Sequence, residues 1–222
     1  MKTLAYCAKS FEASVARAAG VVPLTCPPLV MDAFDHHWLE GYDFIYFKLH
    51  GLPSQPFWYG DDWLTALSEG QIRLANLSRT IIFVANCHLC ERTNGDIIPS
   101  PMLTALLAAG ARCVVGGPGT NYAAKITLVG ADLLGYYFRL LVTFPRIDPQ
   151  LCFRAARARV ALAKDAIAAD TLGFQYFTSD SHGRAVLREA LPTTVALGPA
   201  HAPTKIITRP MVLGIAGKEN DK

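Results

Sequence analysis

Charge is scarce in this chain. Only 18% of its 222 residues are charged, and 21 Lys and Arg against 18 Asp and Glu leave a net charge of +3. No basic run accompanies that small excess, so nucleic acid is not indicated as a partner. No apolar stretch reaches the ~18 residues of a membrane span, which sets aside a membrane role of that kind. The first residues, Met1 to Cys7, lack the long apolar region of a signal peptide. The six cysteines, at 7, 26, 87, 90, 113 and 152, have no disulfide-scaffold spacing, and several sit inside apolar segments. These absences together predict reduced thiols and a cytoplasmic location.

What the chain has is apolar residues, 51% of the total, and 10% aromatics. That suffices for one globular α/β domain with a sizeable core. Residues 3–8 read as a strand and 10–19 as a helix ended by Gly20; 21–26 read as a strand stopped by Pro27-Pro28. Helical material over 31–39 precedes a strand over 42–49. Residues 51–62, with Pro53, Pro56 and Gly60, read as a surface loop, and 63–67 as a short helix. A strand over 79–85 leads to a polar loop containing Asn94-Gly95. Ser100-Pro101 then starts a helix over 102–109 that ends at Gly110, before a strand over 111–115. Ile126, Val129, Leu133, Tyr137 and Leu140 fall at helical spacing; Asp148-Pro149 opens a helix to about 169; and 173–178 is a last strand. From residue 181 the chain is rich in Pro, Ala and Thr, with one strand-like run over 205–208. Alternating strands and helices predict a mainly parallel sheet covered on both faces. The domain is expected over 1–180, with a C-terminal extension over 181–222.

Two strand ends carry the chemistry. The run 42–49 closes in His50-Gly51, and the run 79–85 closes in Asn86-Cys87-His88. Residues 51–78 are long enough for a crossover that makes the two strands parallel. Parallel neighbours lie about 5 Å apart. An imidazole and a thiol would then stand side by side at the carboxyl edge of the sheet, where open α/β sheets bind ligands. A free thiol, with a pKa of roughly 8.5, is mostly protonated at neutral pH, and an adjacent imidazole can take its proton. Gly51 leaves room for a substrate backbone and frees an N–H for an oxyanion. The plainer alternative is that His50 caps a strand and Cys87 packs as a small apolar side chain.

The order of these pieces resembles the caspase-like cysteine peptidases, and among them the CHAT-type domain related to separase. The segments that carry the resemblance are Phe47-Lys48-Leu49-His50-Gly51, Val84-Ala85-Asn86-Cys87, and the Ala109-Gly110-Ala111-Arg112 approach to the next strand. The helix with Tyr136-Tyr137-Phe138, the helix with Ala155-Ala156-Arg157 and the strand before Asp180 look like the elements that follow. The resemblance covers about residues 40–180 and implies a caspase-like three-layer sandwich with a mainly parallel central sheet. It implies a hydrolase, a thiol protease acting on a protein or peptide without cofactor or metal. Cys87 would be the nucleophile, His50 its proton partner, and the backbone N–H groups of Gly51 and Cys87 the oxyanion hole. An activating partner protein is a further expectation. Many relatives in the metacaspase branch carry Asp two residues before the Cys to hold a basic substrate side chain; Ala85 stands there in this chain. A non-catalytic interaction module on the same fold is a second reading.

Cys87-His88-Leu89-Cys90 is also a C-x-x-C, the motif of thiol–disulfide oxidoreductases, yet the residues after it look like loop instead of helix. Zinc on Cys87, His88, Cys90 and His50 lacks a second ligand pair of ordinary spacing. Gly116-Gly117-Pro118-Gly119-Thr120 matches no nucleotide-binding loop and reads as a turn, with Gly117 as a candidate pocket wall. Asn86, His88, Gly117 and Asp61 are the expected cleft residues, with Trp58, Tyr59, Asp62 and Trp63 nearby in sequence. His36-His37, His182 and His201 read as surface.

Overall fold

A computed structural model describes residues 1–121, 124–144, 146–162, 173–181 and 184–189. Seven strands make the central sheet. They are β1 (Thr3–Ala8), β2 (Leu24–Cys26), β3 (Phe44–Lys48), β7 (Ile81–Val84), β10 (Cys113–Gly116), β11 (Gln175–Ser179) and β12 (Ala185–Glu189). Their spatial order is β12-β11-β10-β7-β3-β1-β2. The five strands from β2 to β10 are parallel; β11 is antiparallel to β10, and β12 is antiparallel to β11.

Period-2 alternation assigns the two faces. Leu4, Tyr6, Ile45, Phe47, Ile82 and Val84 point into one core, under α2 (Glu69–Leu74) and α3 (Pro101–Ala108). Ala5, Cys7, Phe44, Tyr46, Phe83 and Val115 point into the other. That second core is covered by α1 (Glu12–Ala19), α4 (Ala131–Val142) and α5 (Pro149–Ala161). The result is a three-layer α/β sandwich with a mainly parallel sheet, the class expected from the sequence. The caps act where they were read: Ser100 Oγ accepts the Leu103 N–H, and Asp148 caps α5 ahead of Pro149. Gly20 closes α1 at φ +68°.

Three local expectations are corrected. Residues 51–62 are not a plain loop. β4 (His50–Gly51), β5 (Phe57–Tyr59) and β6 (Thr65–Ser68) form a small antiparallel sheet, and β6 replaces the short helix expected over 63–67. Burial of Trp58 in the first core outweighs the turn signals of Pro53, Pro56 and Gly60. The polar loop around Asn94-Gly95 is the tip of a hairpin, β8 (Cys90–Thr93) with β9 (Asp96–Pro99). Asn94 and Gly95 both adopt positive φ, the conformation a two-residue hairpin turn requires. β12 lies beyond the expected boundary at residue 180 and adds the sheet's last strand. His182, His201, the helix beyond 162 and the run over 205–208 fall outside the described residues. Among the described residues no helix is long and apolar enough to cross a membrane.

Candidate active site

β3 and β7 are hydrogen-bonded parallel neighbours, in register from Phe44↔Ile81 to Phe47↔Val84. His50 and Cys87 each follow that last pair by three residues, so the crossover brings the two residues to the same sheet edge. The two strand ends are bonded to each other beyond the ladder. The Ala85 N–H donates to the Phe47 carbonyl at 2.8 Å, and the Leu49 N–H donates to Asn86 Oδ1 at 2.7 Å. Gly51 then packs directly on Cys87: a Cβ there would stand 2.1 Å from the Cys87 carbonyl oxygen.

His50 is half-buried in a cage built by two turns. Its Nε2 lies 3.8 Å from Asp61 Oδ1, an ion-pair separation longer than a hydrogen bond. Asp61 is fixed in turn by Ser10, whose N–H donates to Oδ2 and whose hydroxyl donates to Oδ1, both at 2.7 Å. The His50 ring is flanked by Phe11, centroids 5.4 Å apart, and by Trp63, at 5.6 Å. Ser10 and Phe11 come from the 3-10 turn after β1, and Asp61 and Trp63 from the turn between β5 and β6.

Cys87 is partly exposed and meets the loop after β10. The Asn121 N–H donates to Cys87 Sγ at 3.3 Å, and Asn121 Nδ2 donates to the Asn86 carbonyl at 2.6 Å. Gly117 makes room for this: a Cβ there would come within 3.0 Å of Asn121 Oδ1 and 2.9 Å of the Phe174 ring. The same loop receives the His88 N–H on the Gly119 carbonyl at 2.7 Å.

The expected cleft residues have distinct positions. Asp61 lies beside His50. Asn86 is 1% exposed and acts as a tie between strand ends instead of a cleft wall. Gly117 is also buried, beneath Asn121. His88 has φ +56° and turns its Nδ1 to Glu91 Oε1 at 2.7 Å. Cys90 is buried at the start of β8, and burial pushes its thiol up to about 12. His36 and His37 lie on a short surface 3-10 turn beside Asp35. Ser10, Phe11 and Asn121 were not found from the sequence, since each reaches the site from a distant segment and carries no local motif.

Beneath the site lies a buried charge network that was also missed. Lys48 and Asp132 are almost fully buried and form an ion pair. Lys48 Nζ also donates to Ser14 Oγ and to the Ala124 carbonyl, both at 2.9 Å, and Tyr46 donates its hydroxyl proton to Asp132 Oδ1 at 2.7 Å. Burial is the main cause that draws the Lys48 ammonium below its ordinary range, and Asp132 opposes it. The pair ties β3, two residues before His50, to α1, α4 and the segment at Ala124.

No protein-family profile matches this chain, and no curated protein matches it. Among solved structures it is similar to the Arg specific cysteine proteinase gingipain R, at 13% identity and a TM-score of 0.46. The similarity covers 77% of this chain and 44% of that one, so the chain spans less than half the length of that proteinase chain.

Proposed function

We propose that this protein is a cysteine endopeptidase of the caspase-like type, with Cys87 as nucleophile and His50 as its proton partner. The observation that carries the reading is the β3–β7 register, with Gly51 seated on the carbonyl of Cys87. In the proposed reaction the Cys87 proton passes to His50 and the sulfur attacks a peptide carbonyl, forming a C–S bond. The Gly51 and Cys87 backbone N–H groups receive the oxyanion. His50 returns the proton to the leaving amine as the C–N bond breaks. Water, deprotonated by His50, then releases the acyl group and regenerates the thiol. Asn121 meets the sulfur with both of its backbone groups, its N–H donating to Sγ and its carbonyl facing the thiol at 3.7 Å, and Asp61 faces the imidazolium that forms.

A dithiol redox enzyme fits less well. Its second thiol must be ready to resolve a mixed disulfide, whereas Cys90 is buried and holds its proton to about pH 12. A scaffold without activity is distinguished by experiment. Cys87→Ala and His50→Ala should each abolish peptide turnover, because the two groups act as a unit, while Cys90→Ser should leave most of it. Absence of peptide turnover, together with disulfide-exchange activity lost equally in Cys87→Ala and Cys90→Ser and kept in His50→Ala, would instead mark the redox enzyme.

A further inference from the structure

We infer that Trp63 forms the wall that receives the substrate side chain immediately after the scissile bond, and that this side chain is apolar, best aromatic. The inference rests on the peptidase reading. His50 must hand its proton to the leaving amine, so the residue carrying that amine lies against His50 as the bond breaks. Whatever stands beside the imidazole and open to solvent meets that residue's side chain.

Trp63 stands there. Its ring centroid is 5.6 Å from that of His50, and it is 62% exposed, whereas Phe11 beside the same imidazole is buried. Trp63 is not needed to close the core: that is done from the same small sheet by Trp58, which is 2% exposed. Tyr59 meets Trp63 edge-on at 5.9 Å and extends the aromatic surface.

The backbone argues that this exposure is held in place. Asp62 and Trp63 have φ of +57° and +58°, two successive non-glycine residues in the left-handed region. Such strain persists where the surroundings over-determine it, and it clusters at ligand-binding sites. The surroundings do so here. Gly60 N–H donates to the Leu64 carbonyl at 2.8 Å, Leu64 N–H donates to the Asp61 carbonyl at 3.2 Å, and Ser10 clamps the Asp61 side chain. The turn therefore presents an indole to solvent beside the imidazole. An aromatic or aliphatic side chain gains burial on it. An acidic one meets the Asp61 carboxylate beside the same imidazole, so the site selects against it.

The test digests a library of proteome-derived peptides with the 222-residue chain and identifies the new amino termini by mass spectrometry. Phe, Tyr, Trp and Leu should be enriched about 10-fold over Gly directly after the cut, with Asp and Glu depleted. In Trp63→Ala the aromatic-to-glycine ratio should fall to near 1, and Trp63→Phe should retain most of it. A ratio near 1 in the unaltered chain, or one that survives Trp63→Ala, overturns the inference and leaves the peptidase standing. If no Cys87-dependent termini arise at all, the peptidase reading fails and the inference falls with it.

Discussion

Gly51 stands against the carbonyl of Cys87 with no space for a side chain; a Cβ would lie 2.1 Å from the oxygen and 3.1 Å from the carbonyl carbon. The contact is backbone on backbone, so no rotamer change relieves it. Gly51→Ala should therefore push the Cys87 strand end away from His50. The expected cost is about 1–3 kcal/mol of stability with turnover lost more than 100-fold, because ångström displacements at a reacting pair are costly. Unfolding midpoints and peptide turnover on the same preparation check this.

Asn86 should matter for stability as well as activity. Its Oδ1 is the acceptor for the buried Leu49 N–H, and Asn121 Nδ2 holds the Asn86 carbonyl. Asn86→Ala leaves that N–H unpaired, and a loss of about 1–3 kcal/mol is expected in urea denaturation. Asn86→Asp keeps the acceptor and should recover part of it.

The Lys48–Asp132 pair gives a sharper asymmetry. Lys48→Met alone strands a buried carboxylate, and a loss of about 3–5 kcal/mol is expected. Lys48→Met combined with Asp132→Leu removes both charges and should lose markedly less. Equal or greater loss in the double variant would show that the pair, and not the stranded charge, supplies the stability.

Alkaline pH should unfold the protein early. Burial pushes the thiols of Cys7, Cys90 and Cys113 from 9.0 up to about 12. The folded state keeps these protons while the unfolded chain releases them above pH 9. Their contribution is fully present below 9 and is lost between 9 and 12, at up to about 1.4 kcal/mol per thiol per pH unit. Lys48, lowered in the folded state, acts in the opposite sense below its ordinary 10.5 and offsets part of one thiol's share. Urea midpoints at pH 8, 9.5 and 10.5 should fall progressively, and less steeply for Cys113→Ala.

The sheet was legible because its strands are short apolar runs that stop abruptly: Phe44 to Lys48 and Ile81 to Val84 are buried throughout, so no solvent face blurs their pattern. The ends of those strands named His50 and Cys87. The small sheet around Trp58 was not legible, since Pro53, Pro56 and Gly60 signal turns locally while the opposing force is burial against distant residues. Asn94-Gly95 is a hairpin turn whose flanking strands, Cys90–Thr93 and Asp96–Pro99, are mostly exposed and carry no apolar run to mark them. Asn121, Ser10 and the Lys48–Asp132 pair depend on contacts 34, 51 and 84 residues apart, and nothing in a local window marks them.

The central claim is that Cys87 attacks a carbonyl with His50 taking part. The most direct measurement exposes the 222-residue chain to peptidyl electrophiles and locates the adduct by mass spectrometry. The account predicts a single modified site at Cys87, with labelling slowed at least 10-fold in His50→Ala and unchanged in Cys90→Ser. Labelling of Cys87 at the rate of an ordinary thiol, equal with and without His50, would contradict it.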